Sequence, residues 1–479
     1  MVIVGLVLVP LCALFLSGCM PSSESIQESE TLVQEAQDLV SASRYADALS
    51  KYSAAHEIDE GNADIYSGVA QIYLLKNRFQ DAKDILDDGI RRSRNPSYVY
   101  LYRGKIAYED GDYDEAVTYL RNAVAKDGTN YEARILLAKT YCKEGSFDTA
   151  RKQLTIPEDG GDWYVRAQLM KAVLSWDDID DIREIVGDLS RYTGDDEDLD
   201  RAVAAFNDVI EKLNSVSQKE SDGYSDALLA YAALEVGCED IVIEKLTEYA
   251  DDTSEYWELY LYLGRAHYMA GNIQNAADYL SIAVSLQSSD PYGPWMLARV
   301  YGQLGKDTEM ELHYERAISL SKDTERITVR EEYAQVLLEN GQYASAERQF
   351  RLLQSDNAAA KDMYNLMMVE TLVERGILDE ASKMLEGVMV SELDDEQTAR
   401  YYWADAVIQN QLGERDTALI RIDQAITYDD ITARYHVLRG QIYFELGEED
   451  KAKIALERAI DLDLEGNVSA EAEKILDRM

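Results

Sequence analysis

The chain has 479 residues, more than one ordinary compact domain contains, and a formal net charge of −44 at pH 7. So acidic a surface repels phosphate groups, which argues against nucleic acid and against an anionic membrane surface as docking partners. Only 6 prolines accompany 33 tyrosines, a balance that favours an almost entirely helical chain with many aromatic packing positions.

The amino terminus is an apolar segment that ends at a cysteine. Residues 2–16 are almost wholly apolar and lead into Leu16-Ser17-Gly18-Cys19. This order resembles the bacterial lipobox, and the segment is shorter than the run of about 20 apolar residues that crosses a membrane. The resemblance implies that residues 1–18 are a lipoprotein signal peptide and that Cys19 is lipidated. Residues 19–28 would then be the lipidated cysteine and a polar tether.

This interpretation predicts an extracytoplasmic protein held to the lipid bilayer by its acylated Cys19. It would lie on the outer face of the cell membrane, or on the outer membrane if the cell has one. Residues 1–5 lack the basic side chains that open a signal peptide, which suggests a start upstream. An uncleaved amino-terminal anchor and an ordinary signal peptide stay open, and both also place the rest of the chain outside the cytoplasmic membrane.

From about residue 29 a motif returns at a period of about 34 residues. Clear copies run over residues 104–116 and 264–276. Each copy predicts a first helix with a small residue beside a large one, then a turn, then a second helix. The turn glycines, which tolerate positive φ, are Gly111, Gly145, Gly237, Gly271, Gly305, Gly341, Gly376, Gly413 and Gly447. The second helices carry a small residue four positions before a large one, as in Ala82/Leu86, Ala116/Leu120, Ala276/Leu280 and Ala418/Ile422.

Period and residue types resemble the tetratricopeptide repeat. The resemblance implies an all-α fold, an α-solenoid that winds as a right-handed superhelix of about eleven helix–turn–helix units. The units start near residues 29, 63, 97, 131, 223, 257, 291, 327, 362, 399 and 433. They predict an N-terminal array over 29–164 and a C-terminal array over 223–466. Residues 467–479 would form a capping helix.

The interval 165–222 breaks the repeat and is rich in acidic residues. Apolar residues at helical spacing, such as Leu199, Val203 and Phe206, predict that it is a helical insert or a pair of degenerate repeats. Its acidic run near Asp195 could attract calcium, but a solvated loop is the simpler interpretation because the glycine-turned loop of an EF-hand is missing.

No arrangement in the sequence points to chemistry, so we expect no enzyme, no cofactor and no metal site. The histidines are scattered, and the sequence has no HExxH, GxSxG or phosphate-binding loop. Cys142 and Cys238 fall in units more than two repeats apart, so we do not expect a disulfide between them.

The candidate binding surface is the concave groove that first helices line in this family. Four basic residues recur at one first-helix position in this acidic chain, and large side chains lie about one turn away. The predicted partner-binding residues are Lys105, Tyr108, Lys139, Lys143, Tyr231, Arg265, Tyr268, Trp295, Arg299 and Trp403. The cations could hold carboxylates of a protein or peptide partner. Alternatively they neutralise local acids, as Lys105 could with Glu109.

The sequence therefore favours a membrane-anchored scaffold or adaptor that binds proteins in the cell envelope. One alternative is a surface lipoprotein that binds glycan or cell-wall fragments on exposed, aligned rings, among them Trp295 and Trp403. Another is an enzyme hidden in the insert, which would need polar residues that converge in a closed pocket.

Overall fold

The computed structural model describes residues 22–41, 45–75, 78–189, 192, 196–215, 222–250, 256–430, 432–463 and 468–479. Over these ranges the regular structure is helical throughout, with 26 α-helices and three single-turn 3₁₀ helices. Neighbouring helices pack in antiparallel pairs, and each pair packs on the next. The predicted all-α solenoid is confirmed.

The N-terminal array consists of four helix pairs. They are α1 (Ser23–Ser41), α2 (Tyr45–Ile58), α3 (Ala63–Leu75), α4 (Phe79–Arg92), α5 (Ser97–Glu109), α6 (Tyr113–Lys126), α7 (Tyr131–Lys143) and α8 (Phe147–Gln153). Helix α1 begins at Ser23, so residues 23–28 are helical although they were expected in the tether. The Ser22 hydroxyl accepts a hydrogen bond of 3.1 Å from the Ser25 backbone N–H and so satisfies a free donor at the start of α1.

The predicted insert differs from the repeat arrays, because it consists of a helix pair followed by one long helix. The three helices are α9 (Asp162–Leu174), α10 (Ile179–Leu189) and α11 (Glu197–Ser215). Helix α11 packs mainly on α12 and also touches α9 and α10. It buries Leu199, Phe206 and Val209, which lie on one helical face.

The C-terminal array contains seven pairs and a last helix. They are α12 (Asp222–Glu235), α13 (Glu239–Ala250), α14 (Trp257–Met269), α15 (Ile273–Leu286), α16 (Tyr292–Gln303), α17 (Asp307–Leu320), α18 (Asp323–Glu339), α19 (Tyr343–Asp356), α20 (Lys361–Glu374), α21 (Leu378–Leu385), α22 (Asp395–Gln411), α23 (Arg415–Tyr428), α24 (Ala433–Glu445), α25 (Glu449–Leu462) and α26 (Ser469–Leu476). Helix α26 packs on α24 and α25 and covers the end of the stack.

The repeated residues do what their spacing predicts. All nine turn glycines have positive φ, between 65° and 85°, a conformation that other residues avoid. The small and large residues of the second helices are buried in every pair, as at Ala116 and Leu120, both 0% exposed. Close approach of the two helices needs a small residue on the first helix: a Cβ at Gly264 would lie 2.7 Å from Leu280 Cγ.

Candidate functional site

A cavity of about 580 Å³ lies on the first helices of the N-terminal array, where the insert and α13 close over them. Helices α5, α7 and α9 form one side. The start of α11 and the turn between α12 and α13 form the other side. The volume falls within the range of small-molecule pockets, about 300–1,000 Å³.

Apolar side chains form most of the inner wall of this cavity. Leu169, Met170 and Leu199 are almost completely buried, at 0%, 1% and 2% exposure. Leu136 and Val236 are half-buried beside them. A ligand that enters would therefore exchange water for hydrocarbon contacts, worth about 25 cal/mol for each Å² of apolar surface that is buried.

Most cations around the cavity have acidic partners within the chain. Lys105 forms an ion pair with Glu132 on the next first helix, not with Glu109 one turn later. Arg166 pairs with Asp196 and lies 5.8 Å from the centre of the Trp163 ring. These contacts support the interpretation that basic residues at this repeat position neutralise neighbouring acids.

Lys143 ties the two arrays together beside the cavity. Its Nζ lies 3.0 Å from a Glu239 carboxylate oxygen and 2.6 Å from one of Asp240. Burial opposes the charge of Lys143, yet the Asp240 and Glu239 carboxylates outweigh that effect and raise the pKa of Lys143 above its ordinary value. The same ammonium lies 6.0 Å from the centre of the Tyr108 ring, and burial raises the pKa of Tyr108 above its usual range.

Lys139 differs from the other cations of the wall. Its Nζ donates a hydrogen bond of 3.2 Å to the backbone carbonyl of Val236, in the turn between α12 and α13. It forms no ion pair with any carboxylate of the described residues. A Cβ at Gly237 would lie 3.0 Å from Lys139 Nζ, so this glycine both makes the turn at a φ of 70° and leaves room for the ammonium.

Two cysteines that lie more than two repeats apart in the sequence also meet at this junction. Cys142 and Cys238 are both buried and unpaired, and they line one small cavity with Tyr108, Lys139 and Met170. Burial raises the pKa of each thiol to about 12. Period counting missed their proximity because the insert brings α13 back against α7.

The predicted groove residues of the C-terminal array form a second group. Arg265 lies 2.8 Å from Glu235, which itself lines the cavity. The Tyr231 ring lies 5.8 Å from the Tyr262 ring, and the Tyr268 hydroxyl accepts a hydrogen bond of 3.2 Å from Gln303. Tyr231 and Arg265 are thus close to the first group through Glu235, while Tyr268 lies further along the array.

Trp295 and Arg299 belong to a network centred on Glu332. The carboxylate accepts hydrogen bonds of 3.0 Å from Trp295 Nε1, 2.7 Å from Arg299 Nε and 2.8 Å from the Tyr314 hydroxyl. Burial alone would raise the pKa of Glu332, but these donors outweigh it and lower the pKa. The Arg299 guanidinium also lies 4.7 Å from the centre of the Trp295 ring.

Trp403 does not face the groove, contrary to the expectation from the sequence. Its side chain is 5% exposed and packs in the core of the C-terminal array. The Arg434 guanidinium covers it at 4.2 Å from the ring centre and approaches Glu370, which Arg400 holds at 2.6 Å. The expectation failed because this position points toward the next unit once the helices pack.

Several residues of the cavity carried no signal in the sequence. Trp163, Arg166 and Leu199 come from the insert, where the repeat is lost, and Val236 and Glu239 meet α7 only through long-range packing. Their spacing along the chain gives no sign of this meeting.

Cys19 and Asp195 lie outside the residues that the structure describes. Within the described ranges, no group of three or more His, Cys, Asp or Glu side chains could hold a metal ion. None of the described helices combines the length and the apolar character needed to cross a membrane.

Helix pairs that stack one on the next along the chain define the class of helical-repeat solenoids. Sequence models described as tetratricopeptide repeat match residues 39–105, 107–174, 220–294 and 295–324, and a tetratricopeptide repeat-like domain matches 322–475. The chain therefore belongs to the tetratricopeptide repeat family. Members of this family bind proteins or peptides and are generally scaffolds without enzymatic activity.

Solved structures of several repeat proteins are similar to this chain. Yeast Tom70 is 14% identical, with a TM-score of 0.38 over 94% of this chain and 95% of that one. A tetratricopeptide repeat protein from Parabacteroides merdae is 19% identical, with a TM-score of 0.42 over 53% and 99%. Pseudomonas aeruginosa PilF is 16% identical, with a TM-score of 0.36 over 47% and 97%. No curated protein sequence matches the chain significantly.

Proposed function

We propose that this protein is a lipid-anchored, extracytoplasmic adaptor that binds a segment of another protein on its N-terminal first helices. The observation that carries the proposal is the recessed cavity. Lys105, Tyr108 and Lys139, which share a groove through their repeat positions, surround one space with an apolar wall. Family membership supports protein binding, and the lipobox-like residues that end at Cys19 support the anchor.

The glycan-binding alternative finds less support in the rings that would carry it. Trp403 is buried, and Trp295 donates its N–H to Glu332 under the Arg299 guanidinium. Sugar binding on stacked rings needs open aromatic faces, and these two faces are covered by Arg434 and Arg299.

The groove is tested by capture from native membranes with the tagged full chain as bait. Lys105→Glu/Lys139→Glu reverses two charges at the cavity, whereas Arg121→Glu/Lys126→Glu reverses two exposed charges on α6 of the same array. Since Lys105 forms only a partly exposed ion pair, its loss costs at most about 1 kcal/mol. We expect one partner to be captured by the wild type and by the α6 variant and to be lost from the cavity variant.

Equal capture by all three proteins would show that the binding surface lies away from the cavity.

The anchor is tested on the same chain. Cys19→Ser should release the protein from the membrane fraction and remove the acyl mass from its amino-terminal peptide, while Cys12→Ser should change neither. Membrane retention by Cys19→Ser would overturn the anchor and leave the groove result standing.

A further inference from the structure

The cavity is more than a stretch of open groove, because five elements surround it. Besides the first helices that would carry a segment of a partner protein, α11 and the turn before α13 contribute residues to its wall. A recess that is partly open to solvent and has an apolar wall with a few polar groups can hold a small molecule.

Most charged side chains around the cavity already have a partner of opposite charge. This limits the kinds of ligand that the cavity could bind. Lys105, Arg166 and Lys143 each have a carboxylate partner. The wall acids Glu235 and Glu239 are paired with Arg265 and Lys143. A ligand therefore meets few free charges, and the exposed Glu109 stands at the rim, in contact with water.

Lys139 is the polar group of the inner wall that can still donate further hydrogen bonds. A lysine ammonium has three donors, and its one hydrogen bond goes to the Val236 carbonyl. The side chain is half-buried, so water solvates the remaining donors incompletely. An acceptor from a ligand would complete this shell, and an anionic acceptor would form the stronger, charge-assisted bond.

The number of free cations distinguishes one class of anion from another. A single ammonium matches a monoanion. A phosphate monoester, with a charge of about −2, would lack a second free cation and would lie near Glu235 and Glu239, which line the same wall. Because Leu136, Trp163 and Val236 offer apolar surface in the same cavity, we expect the rest of the ligand to be apolar.

We propose that this cavity binds a small apolar monocarboxylate, with the carboxylate on Lys139 and the hydrocarbon chain against Leu136, Trp163 and Val236, which keep part of their surface exposed. This site goes beyond the adaptor function, which requires no small molecule. An occupied cavity would also link α7, α11 and the turn before α13 through one ligand, because each of them contributes to its wall.

Three probes that share one hydrocarbon chain test the proposal: decanoate, decanol and decyltrimethylammonium, each titrated calorimetrically below its micelle concentration. We expect decanoate to bind once per chain and about tenfold more tightly than decanol, because a charge-assisted hydrogen bond to Lys139 is stronger than a neutral one. Lys139→Met should abolish this preference and leave the affinity for decanol unchanged. Lys126→Met, at an exposed position on α6, should retain the preference.

Val236→Trp fills the cavity from the turn and should weaken decanoate and decanol alike. The proposal fails if decanoate and decanol bind equally, if the cationic probe binds most tightly, or if Lys139→Met keeps the carboxylate preference. It also fails if Val236→Trp changes nothing, because the probes would then adsorb on exposed apolar side chains elsewhere. None of these measurements depends on protein capture. Failure of the ligand site can therefore be distinguished from failure of the adaptor function.

Discussion

His436 in α24 is held in one protonation state by its two neighbours. Its Nε2 lies 2.9 Å from the Asp430 carbonyl, which can only accept, so Nε2 carries the hydrogen. Arg439 lies 3.3 Å from Nδ1 and can only donate, so Nδ1 keeps its lone pair. Burial, opposed by the Asp430 hydrogen bond and aided by the nearby Arg439 charge, lowers the pKa of His436 to about 4.

This arrangement predicts that the last units loosen in acid. The unfolded state binds a proton as the pH falls below 6.5, while folded His436 resists protonation down to about pH 4. The free energy of unfolding therefore falls over this window, by about 2 kcal/mol at pH 5. Hydrogen exchange of α24 and α25 at pH 7 and pH 5 measures the loss of protection.

A glutamine at this position can still donate to Asp430 but does not titrate. His436→Gln should therefore remove most of the difference between the two pH values, and His56→Gln in the first unit should leave it in place. An equal loss of protection in wild type and His436→Gln would assign the acid sensitivity to other groups, such as the buried His267 and the half-buried His313, whose pKa values burial also lowers.

A glycine affects the contact between the two helices of a unit only where its missing side chain lets the other helix come close. Gly264 in α14 faces the fully buried Leu280 of α15, whereas Gly187 in α10 faces open space, with no neighbour within 4 Å of an added Cβ. Alanine is the better helix former by about 1 kcal/mol. At Gly264 that gain competes with overpacking, which costs about 1–3 kcal/mol.

The two substitutions should therefore have opposite signs. Gly187→Ala should raise the local free energy of unfolding by about 0.5–1 kcal/mol. Gly264→Ala should lower it by about 1 kcal/mol, because Leu280 has no room to move away. Protection of α10 and of α14–α15 against hydrogen exchange separates the effects. Stabilisation at both sites would mean that Leu280 repacks freely.

The sequence predicted the paired helices well because the core of each unit is local. Ala116 and Leu120, or Gly264 and Leu280, lie within one unit, so spacing alone indicates their contact. In the insert, the spacing of the apolar residues of α11 predicted a helix. It did not indicate that this helix packs on α12 and α9, because spacing along the chain does not identify the partner helix.

The candidate site was predictable only on one side. Lys105, Tyr108 and Lys139 share a repeat position or lie one turn from it, so the period indicates that their helices are neighbours. The opposite wall, including Trp163 and Val236, depends on the meeting of α7 and α13. No periodicity indicates that meeting, and the acidic partners of Lys143 were missed for the same reason.

At the scale of the whole molecule, the tie from Lys143 to Glu239 and Asp240 joins the two arrays directly, next to the hydrogen bond from Lys139 to Val236. The Lys143 and Glu239 side chains are 11% and 12% exposed. Lys143→Met would leave two carboxylates close together without their cation, which costs about 3–5 kcal/mol for a buried pair. We expect faster proteolysis of the insert and faster hydrogen exchange in α7 and α13.

A matched control removes a lysine from an exposed ion pair on α13, the helix that carries Glu239 and Asp240. Lys245 in α13 lies 2.7 Å from Asp177, and this pair is 29% and 84% exposed, so Lys245→Met should cost at most about 1 kcal/mol. If Lys245→Met opened the insert as much as Lys143→Met, ordinary loss of surface charge would explain both, and the buried tie would have no special part in joining the arrays.

The same tie gives the solenoid an unusual response to stretching. Lys143 and Glu239 are 96 positions apart, so a pull on the two ends bypasses α8, the three insert helices and α12 as long as the ammonium stays between its carboxylates. Rupture would release a segment of about 300 Å at full extension. A single-molecule trace should therefore show one large step among the small, repeat-sized ones.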